Sequence, residues 1–365
     1  MMTMHTTALL NILRNYIQGG EPRLDLFFER WQPEDWEVLY KMAQRQGVAA
    51  IVYNTIAENL NGYKIARNTK FSWALLSENI QKRSAKHWAV ANDISKMWGD
   101  CGITTVVLKG FGLGRYYPTP WLRECGDFDC YLFGDYPKGV ELALSKGAKF
   151  LHKDYKHTQL LYRGVAIEVH EYFTSFRGDR TKHRLENDLH ELITSSGVLK
   201  PVGEESCILS ASPTFTTCYF LYHTQFHFLI EGVKLRHMLD WILFVKSEKD
   251  NIDWEYVVAF CNRYKLTRFA EALNAVVAHY FGIELAIPIV SESIYRDRVM
   301  SDILMDAEGV SNKSGWSRRV QLLKNTSQTR WKYELIDSTF IRESVKRIYY
   351  LLFSKDKLII TTHKI

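Results

Sequence analysis

Gly126-Asp127-Phe128-Asp129-Cys130-Tyr131-Leu132-Phe133 and, further on, Val165-Ala166-Ile167-Glu168-Val169-His170 are two short apolar runs interrupted by acids. Their length and apolar content are those of β-strands. Acidic residues are poor strand formers and are seldom buried without compensation. Residues two apart on a strand point to one face, about 6.5 Å from each other. Asp127 and Asp129 therefore share a face, with Phe128, Cys130 and Leu132 on the other, core side. Glu168 and His170 likewise share a face, with Ile167 and Val169 opposite. If the two strands lie close in one sheet, the three carboxylates converge. Such a cluster is costly unless a cation sits within it. Three carboxylates can hold two Mg²⁺ (or Mn²⁺) ions, which take oxygen ligands. A metal pair stabilises the attacking and leaving oxygens of an in-line displacement, so the expected chemistry is phosphoryl or nucleotidyl transfer.

Working outward, Ile103–Leu108 is β-branched and apolar and reads as a buried strand. Lys109-Gly110 ends it, and Phe111–Tyr117 forms a short helix before Pro118 and Pro120. A strand that turns through glycine into a helix is a place for a phosphate. The stretch lacks the Gly-Lys-Ser/Thr of a P-loop and the spacing of a dinucleotide fingerprint. Lys109 and Arg123 are candidate cations for a triphosphate, and Arg123 lies on the loop that enters the Asp127–Phe133 strand. Beyond it, Tyr136–Ser145 is an amphipathic helix. Lys149–His152, His157–Tyr162 and Val165–His170 read as strands, the last two joined by a tight Arg163-Gly164 turn.

Both flanks carry the helical period. Ala8–Ile17, Trp36–Gln46 and Phe71–Trp98 precede the strands, and Pro33-Glu34-Asp35 is a helix-start signal. After Pro201 the helical period returns at Thr214–Ile230, Leu235–Val245, Trp254–Arg263, Arg268–Tyr280 and Ile341–Leu352, with a loop at Glu308–Ser317. The expected architecture is α+β: an N-terminal helical subdomain over 1–99, a small mixed-sheet core over 100–200, and a C-terminal helical subdomain over 201–365.

The 365-residue chain is 46% hydrophobic and 24% charged, which is ordinary for a globular protein with ample core. Its six cysteines include no zinc-type spacing and read as reduced thiols. The N-terminus has no signal-peptide pattern, and apolar runs such as Ile348–Phe353 are too short to cross a bilayer, so the expectation is a cytoplasmic protein that engages no membrane. Net charge is +6, and the segment from Lys313 on carries 12 basic against 4 acidic residues. That segment is either a solvated helical face or a contact for an anionic partner; no nucleic-acid-binding motif accompanies it.

Leu108-Lys109-Gly110, the Tyr117-Pro118 with Arg123, Asp127-Phe128-Asp129 and Ile167-Glu168-Val169-His170 together resemble the uncharacterised nucleotidyltransferase family of the DNA polymerase β-like superfamily. The resemblance is strongest over about residues 100–175 and extends to Asp35-Trp36 and Leu235-Arg236-His237-Met238-Leu239-Asp240-Trp241. It implies transfer of a nucleoside monophosphate from an NTP such as ATP to an acceptor, with release of pyrophosphate. By that match Asp127 and Asp129 hold both Mg²⁺ ions, and Glu168 completes the site and can serve as base. Lys109, Gly110, Arg123 and His170 are the inferred nucleotide contacts. Where many superfamily members have Gly-Ser, this chain has Lys109-Gly110-Phe111. That departure keeps open a catalytically silent nucleotide- or protein-binding module of the same fold. The acceptor can be a small molecule, a protein side chain or an RNA end. His170 is either a substrate contact or a structural histidine. His152, His157, His223 and His227 read as structural, and Asp240 as the i, i+4 partner of Arg236. Gly-Asp-Phe-Asp also matches a kinase metal loop, but no His-Arg-Asp loop precedes it.

Overall fold

The computed structural model describes residues 2–19, 28–174, 180–195, 199–203, 206–230, 232–305, 330–336, 338–339 and 341. The basic cluster from Arg318 to Arg347, the Glu308–Ser317 loop and all of the 341–352 helix but Ile341 lie outside these, apart from residues such as Lys332. That lysine is buried, with its Nζ 2.6 Å from Asp302 Oδ2.

Among the described residues, four helices open the chain: α1 (Met4–Gln18), α2 (Pro33–Arg45), α3 (Ala49–Ile56) and α4 (Arg67–Gly99). Pro33 begins α2, and the Asp35 carboxylate accepts from the Gln32 N–H at 2.9 Å, satisfying one of the free donors at the helix start. Helix α3 was not expected from the sequence; its apolar residues face the core nearly all round, so it has little amphipathic period. Helix α4 runs for 33 residues and buries one stripe from Trp73 to Trp98. Its first half packs with the helical core through Trp73 and Ile80. Its second half packs under the sheet through Val90, Ala91, Ile94 and Trp98.

The sheet has seven strands: β1 (Thr105–Val107), β2 (Phe128–Tyr131), β3 (Lys149–Lys153), β4 (His157–Tyr162), β5 (Val165–His170), β6 (Lys200–Pro201) and β7 (Ile208–Ser210). Their order is β3-β4-β5-β2-β1-β7-β6. The pairs β2/β5 and β1/β7 are parallel, and the rest antiparallel. Between the strands lie α5 (Phe111–Gly114), α6 (Tyr136–Ser145) and α7 (Arg180–Ser195). The turn between β4 and β5 falls on Arg163 and Gly164, both at positive φ, as a tight hairpin requires. Strand β7 lies beyond Pro201, where the sequence pattern led to helices, and β6 ends at that residue. At two and three residues they are too short to display an alternating pattern.

One sheet face is dry. Phe128, Cys130, Leu160, Ile167, Val169 and Ile208 pack there with α4 and α6. Burying aliphatic side chains such as Ile167 and Val169 contributes about 1.5–3 kcal/mol each, which offsets the cost of the polar groups on the opposite face. That face is covered by α7 and by α8 (Pro213–Ile230), where Phe173 lies tilted against Tyr131 and meets Phe215 and Tyr219 edge to face. The chain continues through α9 (Leu235–Glu248), α10 (Trp254–Tyr264), α11 (Thr267–Val276) and α12 (Arg296–Met305). The fold is α+β, with helices on both sides of a mixed sheet. N-terminal and C-terminal helices also pack on each other in one core that holds Leu9, Trp36, Leu239 and Phe269. Gln46 clasps them: its amide donates to the Ile303 carbonyl and accepts from the Leu235 N–H, both at 2.8 Å. Arg14 donates to the Phe281 carbonyl at 2.7 Å.

Candidate active site

The register of three strands builds the site. Asp129 on β2 lies directly opposite Glu168 on β5, and Glu168 lies opposite Gln159 on β4. One row along, Tyr131, His170 and His157 stand in line. Asp127, at the entrance to β2, adds its carboxylate to the same face. One oxygen from each of Asp127, Asp129 and Glu168 lies within 4.8 Å of the other two. The alternation of Asp-Phe-Asp and Glu-Val-His, read on the sequence, thus matches the faces the backbone presents.

Around this trio the structure places cations and imidazoles. Lys109 leaves the end of β1 and brings its Nζ to 2.8 Å from Asp129 Oδ1 and 3.1 Å from His223 Nε2. His170 Nε2 lies 3.0 Å from the same Asp129 oxygen, and its Nδ1 lies 3.3 Å from the Tyr172 carbonyl. Gln159 donates to Glu168 Oε1 at 3.2 Å, and His157 Nε2 is 3.6 Å from that oxygen. His223 and His227, one helical turn apart on α8, bring their Nε2 atoms within 3.1 Å. His157 and His223, read as structural from spacing alone, therefore stand at the site. For His223 sequence held no signal, because α8 meets the sheet only in the folded chain, whereas His157 belongs to β4 and its place opposite His170 follows from strand pairing.

Electrostatics follow from this crowding. Burial works to raise the Asp129 carboxyl, but Lys109 and the His170 hydrogen bond outweigh it and hold the group well below the usual carboxylate range. Glu168 goes the other way: burial, then Asp129 and Asp127, push it up to about 8. Burial works against the charge of Lys109, yet Asp129 holds it above the ordinary lysine range. Burial pushes His170 down to about 4 and His157 down to about 3. His223 is driven down by burial and by Lys109 beside it. A carboxyl pushed up by burial and then by two neighbouring carboxylates marks a spot where negative charge is crowded. The donor set, all oxygen and mutually close, fits a divalent cation.

Two sequence-derived residues behave differently from expectation. Arg123, expected to face a triphosphate, is buried and gives two hydrogen bonds to Asp240 on α9, at 2.7 and 2.8 Å. Tyr117 donates to the same carboxylate at 2.7 Å. Asp240 is thus the partner of Arg123 rather than of Arg236, which donates to the Glu124 carbonyl at 2.8 Å. The local i, i+4 contact loses to a bidentate one across the fold. Gly110 adopts φ +56, where a side chain is strained, and a Cβ there would lie 3.1 Å from Cys125 Sγ. It turns the chain between Lys109 and α5.

A family model described as an uncharacterised nucleotidyltransferase matches residues 32–282, more than half of the chain and all of the site. No curated protein and no solved structure matches. No helix among the described residues is long and apolar enough to cross a membrane.

Proposed function

Because the chain belongs to the uncharacterised nucleotidyltransferase family, we propose that it moves a nucleoside monophosphate from an NTP to an acceptor hydroxyl. Asp127, Asp129 and Glu168 are the residues that hold divalent cations in this reading. When bound, Mg²⁺ would neutralise the triphosphate and stabilise charge on the attacking and leaving oxygens. The acceptor oxygen bonds to the α-phosphorus as the bond to the β-phosphate oxygen breaks, and pyrophosphate departs. With cations bound, Glu168 would give up the proton it otherwise keeps, and the carboxylate so formed would take the acceptor proton. Lys109 leaves Asp129 for the triphosphate, where its ammonium acts as a point charge. Gly110 gives the turn that aims it, and His170 keeps Asp129 in place. Arg123 braces the loop before Asp127 through Asp240.

The observation that carries this reading is the pairing of Asp129 with Glu168 across parallel strands, with Asp127 on the same face. Its test is incubation of the protein with labelled NTPs, Mg²⁺ and a panel of hydroxyl acceptors, with pyrophosphate release as readout. Asp127→Asn or Asp129→Asn should cost about 3 kcal/mol of transition-state stabilisation, more than about a hundredfold in rate. Absence of NTP binding with Mg²⁺ present, with neither substitution altering the protein's behaviour, would sink the proposal.

A second reading has its own support. Lys109 pairs with Asp129 and occupies one of its oxygens, and Phe111 stands in the turn where many relatives of the superfamily carry Ser nearby. In that reading the chain binds a nucleotide without turning it over. Tight NTP binding with no pyrophosphate release from any acceptor would favour it.

A further inference from the structure

Beside the carboxylate trio the sheet carries a second donor set. His157 and His170 face each other across antiparallel β4 and β5, and Glu168 precedes His170 on the same face. One ligand atom from each of the three lies within 4.8 Å of the other two. His157 Nε2 is 3.6 Å from Glu168 Oε1, and His170 Nε2 is 3.9 Å from Glu168 Oε2. Tetrahedral coordination at ordinary Zn–N and Zn–O lengths sets ligand atoms about 3.3–3.5 Å apart. The two imidazole–carboxylate separations are within a few tenths of an ångström of that spacing.

The backs of the two rings carry the argument further. His170 Nδ1 lies 3.3 Å from the Tyr172 carbonyl, whereas His157 Nδ1 is buried 3.5 Å from Asp154 Oδ1 with no hydrogen-bond partner among the described residues. A neutral imidazole has one N–H. His170 Nε2 donates to Asp129 at 3.0 Å; moving that proton to Nδ1, where the Tyr172 carbonyl can accept it, would free the Nε2 lone pair for a cation shared with His157 and Glu168. The carbonyl behind His170 Nδ1 is the arrangement that orients metal-binding histidines.

We infer that His157, His170 and Glu168 form a nitrogen-rich cation site beside the all-oxygen position of Asp127 and Asp129, and that it takes a transition-metal dication such as Zn²⁺ or Co²⁺ in preference to Mg²⁺. Imidazole suits these ions, whereas Mg²⁺ keeps to oxygen donors. Three protein ligands leave one tetrahedral position for water. The site shares Glu168 with the trio but does not depend on nucleotidyl transfer.

The test uses the full-length protein, stripped with a chelator and titrated with Co²⁺ in the presence of excess Mg²⁺. Expected are one equivalent of bound Co²⁺ with a visible ligand-field absorption, and displacement by Zn²⁺. His157→Ala should weaken binding by at least about tenfold. His170 is fully buried and its removal endangers the fold. His157, with 14% of its side chain exposed, therefore decides, with His157→Gln as a second variant and circular dichroism to confirm folding. Unchanged Co²⁺ affinity in folded His157→Ala and His157→Gln, or equal displacement by Mg²⁺, would overturn the site. Asp127→Asn separates the two proposals: it should abolish pyrophosphate release and leave the Co²⁺ spectrum intact. Absent pyrophosphate release in the wild type with Co²⁺ bound through His157 would defeat transfer and leave this site standing.

Discussion

Asp129 and Glu168 are opposite partners on adjacent strands, and both are buried, yet they carry their protons differently. Lys109 and His170 claim Asp129, while Glu168 is buried beside the Asp129 and Asp127 carboxylates with the Gln159 amide and two imidazoles at longer range. Glu168 therefore stands at about 8 against an ordinary 4.5. The folded chain keeps a proton there that the unfolded chain loses, so the associated stability is full below about pH 4.5 and is lost as pH rises through about 8. His157 and His170, pushed down from 6.5, act in the opposite sense, and their contribution is complete above that pH. Between pH 6.5 and 8, without added divalent cation, stability should fall with a slope approaching about 1.4 kcal/mol per pH unit. Chemical denaturation across that range measures it. Glu168→Gln should flatten the slope; a slope that survives the substitution would show that another group is responsible. At Gly110, substitution by Ala places a side chain at φ +56 against Cys125. The expected loss is about 1–3 kcal/mol, read from urea midpoints. At this scale, Asp127, Asp129 and Glu168 were legible because strand alternation is a local rule. The contacts of Lys109 with His223, and of Arg123 with Asp240, join residues more than a hundred positions apart and obey no local rule.

Among the elements, the link between the loop before β2 and helix α9 is the Arg123–Asp240 pair, both side chains nearly out of reach of solvent. Asp240→Ala would leave a guanidinium buried without its partner. The expected cost is about 3–5 kcal/mol, whereas Arg123→Met with Asp240→Leu should recover much of it by removing both charges. Thermal unfolding of the two variants checks this; equal losses would mean that packing, not charge pairing, sets the cost. Most helices and the longer strands follow the sequence pattern because each exposes one face and buries another, as β4 does residue by residue. The exceptions have physical causes. Strand β7 is only three residues long, and its parallel pairing with β1 is a property of the sheet, not of the segment. Helix α7 lies outside the sequence-based expectation, although Leu185, Leu189 and Ile193 form a narrow apolar stripe at i, i+4 and i+8 in an otherwise polar segment.

For the whole molecule, α4 is the common member of two cores, one among the helices and one beneath the sheet. Trp73 anchors its first half by donating to the Ala49 carbonyl, and Trp98 its second by donating to the Gly139 carbonyl, at 2.8 and 2.9 Å. A fragment of residues 1–99 would lack the sheet under Trp98 and the C-terminal helices against α1. It should show no cooperative thermal transition by circular dichroism, while the full-length chain does; a sharp transition in the fragment would mean that the first core is self-sufficient. The clasp of Arg14 on the Phe281 carbonyl and of Gln46 between Leu235 and Ile303 has a consequence for birth order. On the ribosome, the helices made first are the last to be covered. Trp36 finds Phe28, Trp31 and Tyr63 as soon as the first helices are made, but Arg14 and Gln46 wait for Phe281 and Leu235, 267 and 189 residues on, so the flank they clasp should stay open to holding chaperones in the young chain.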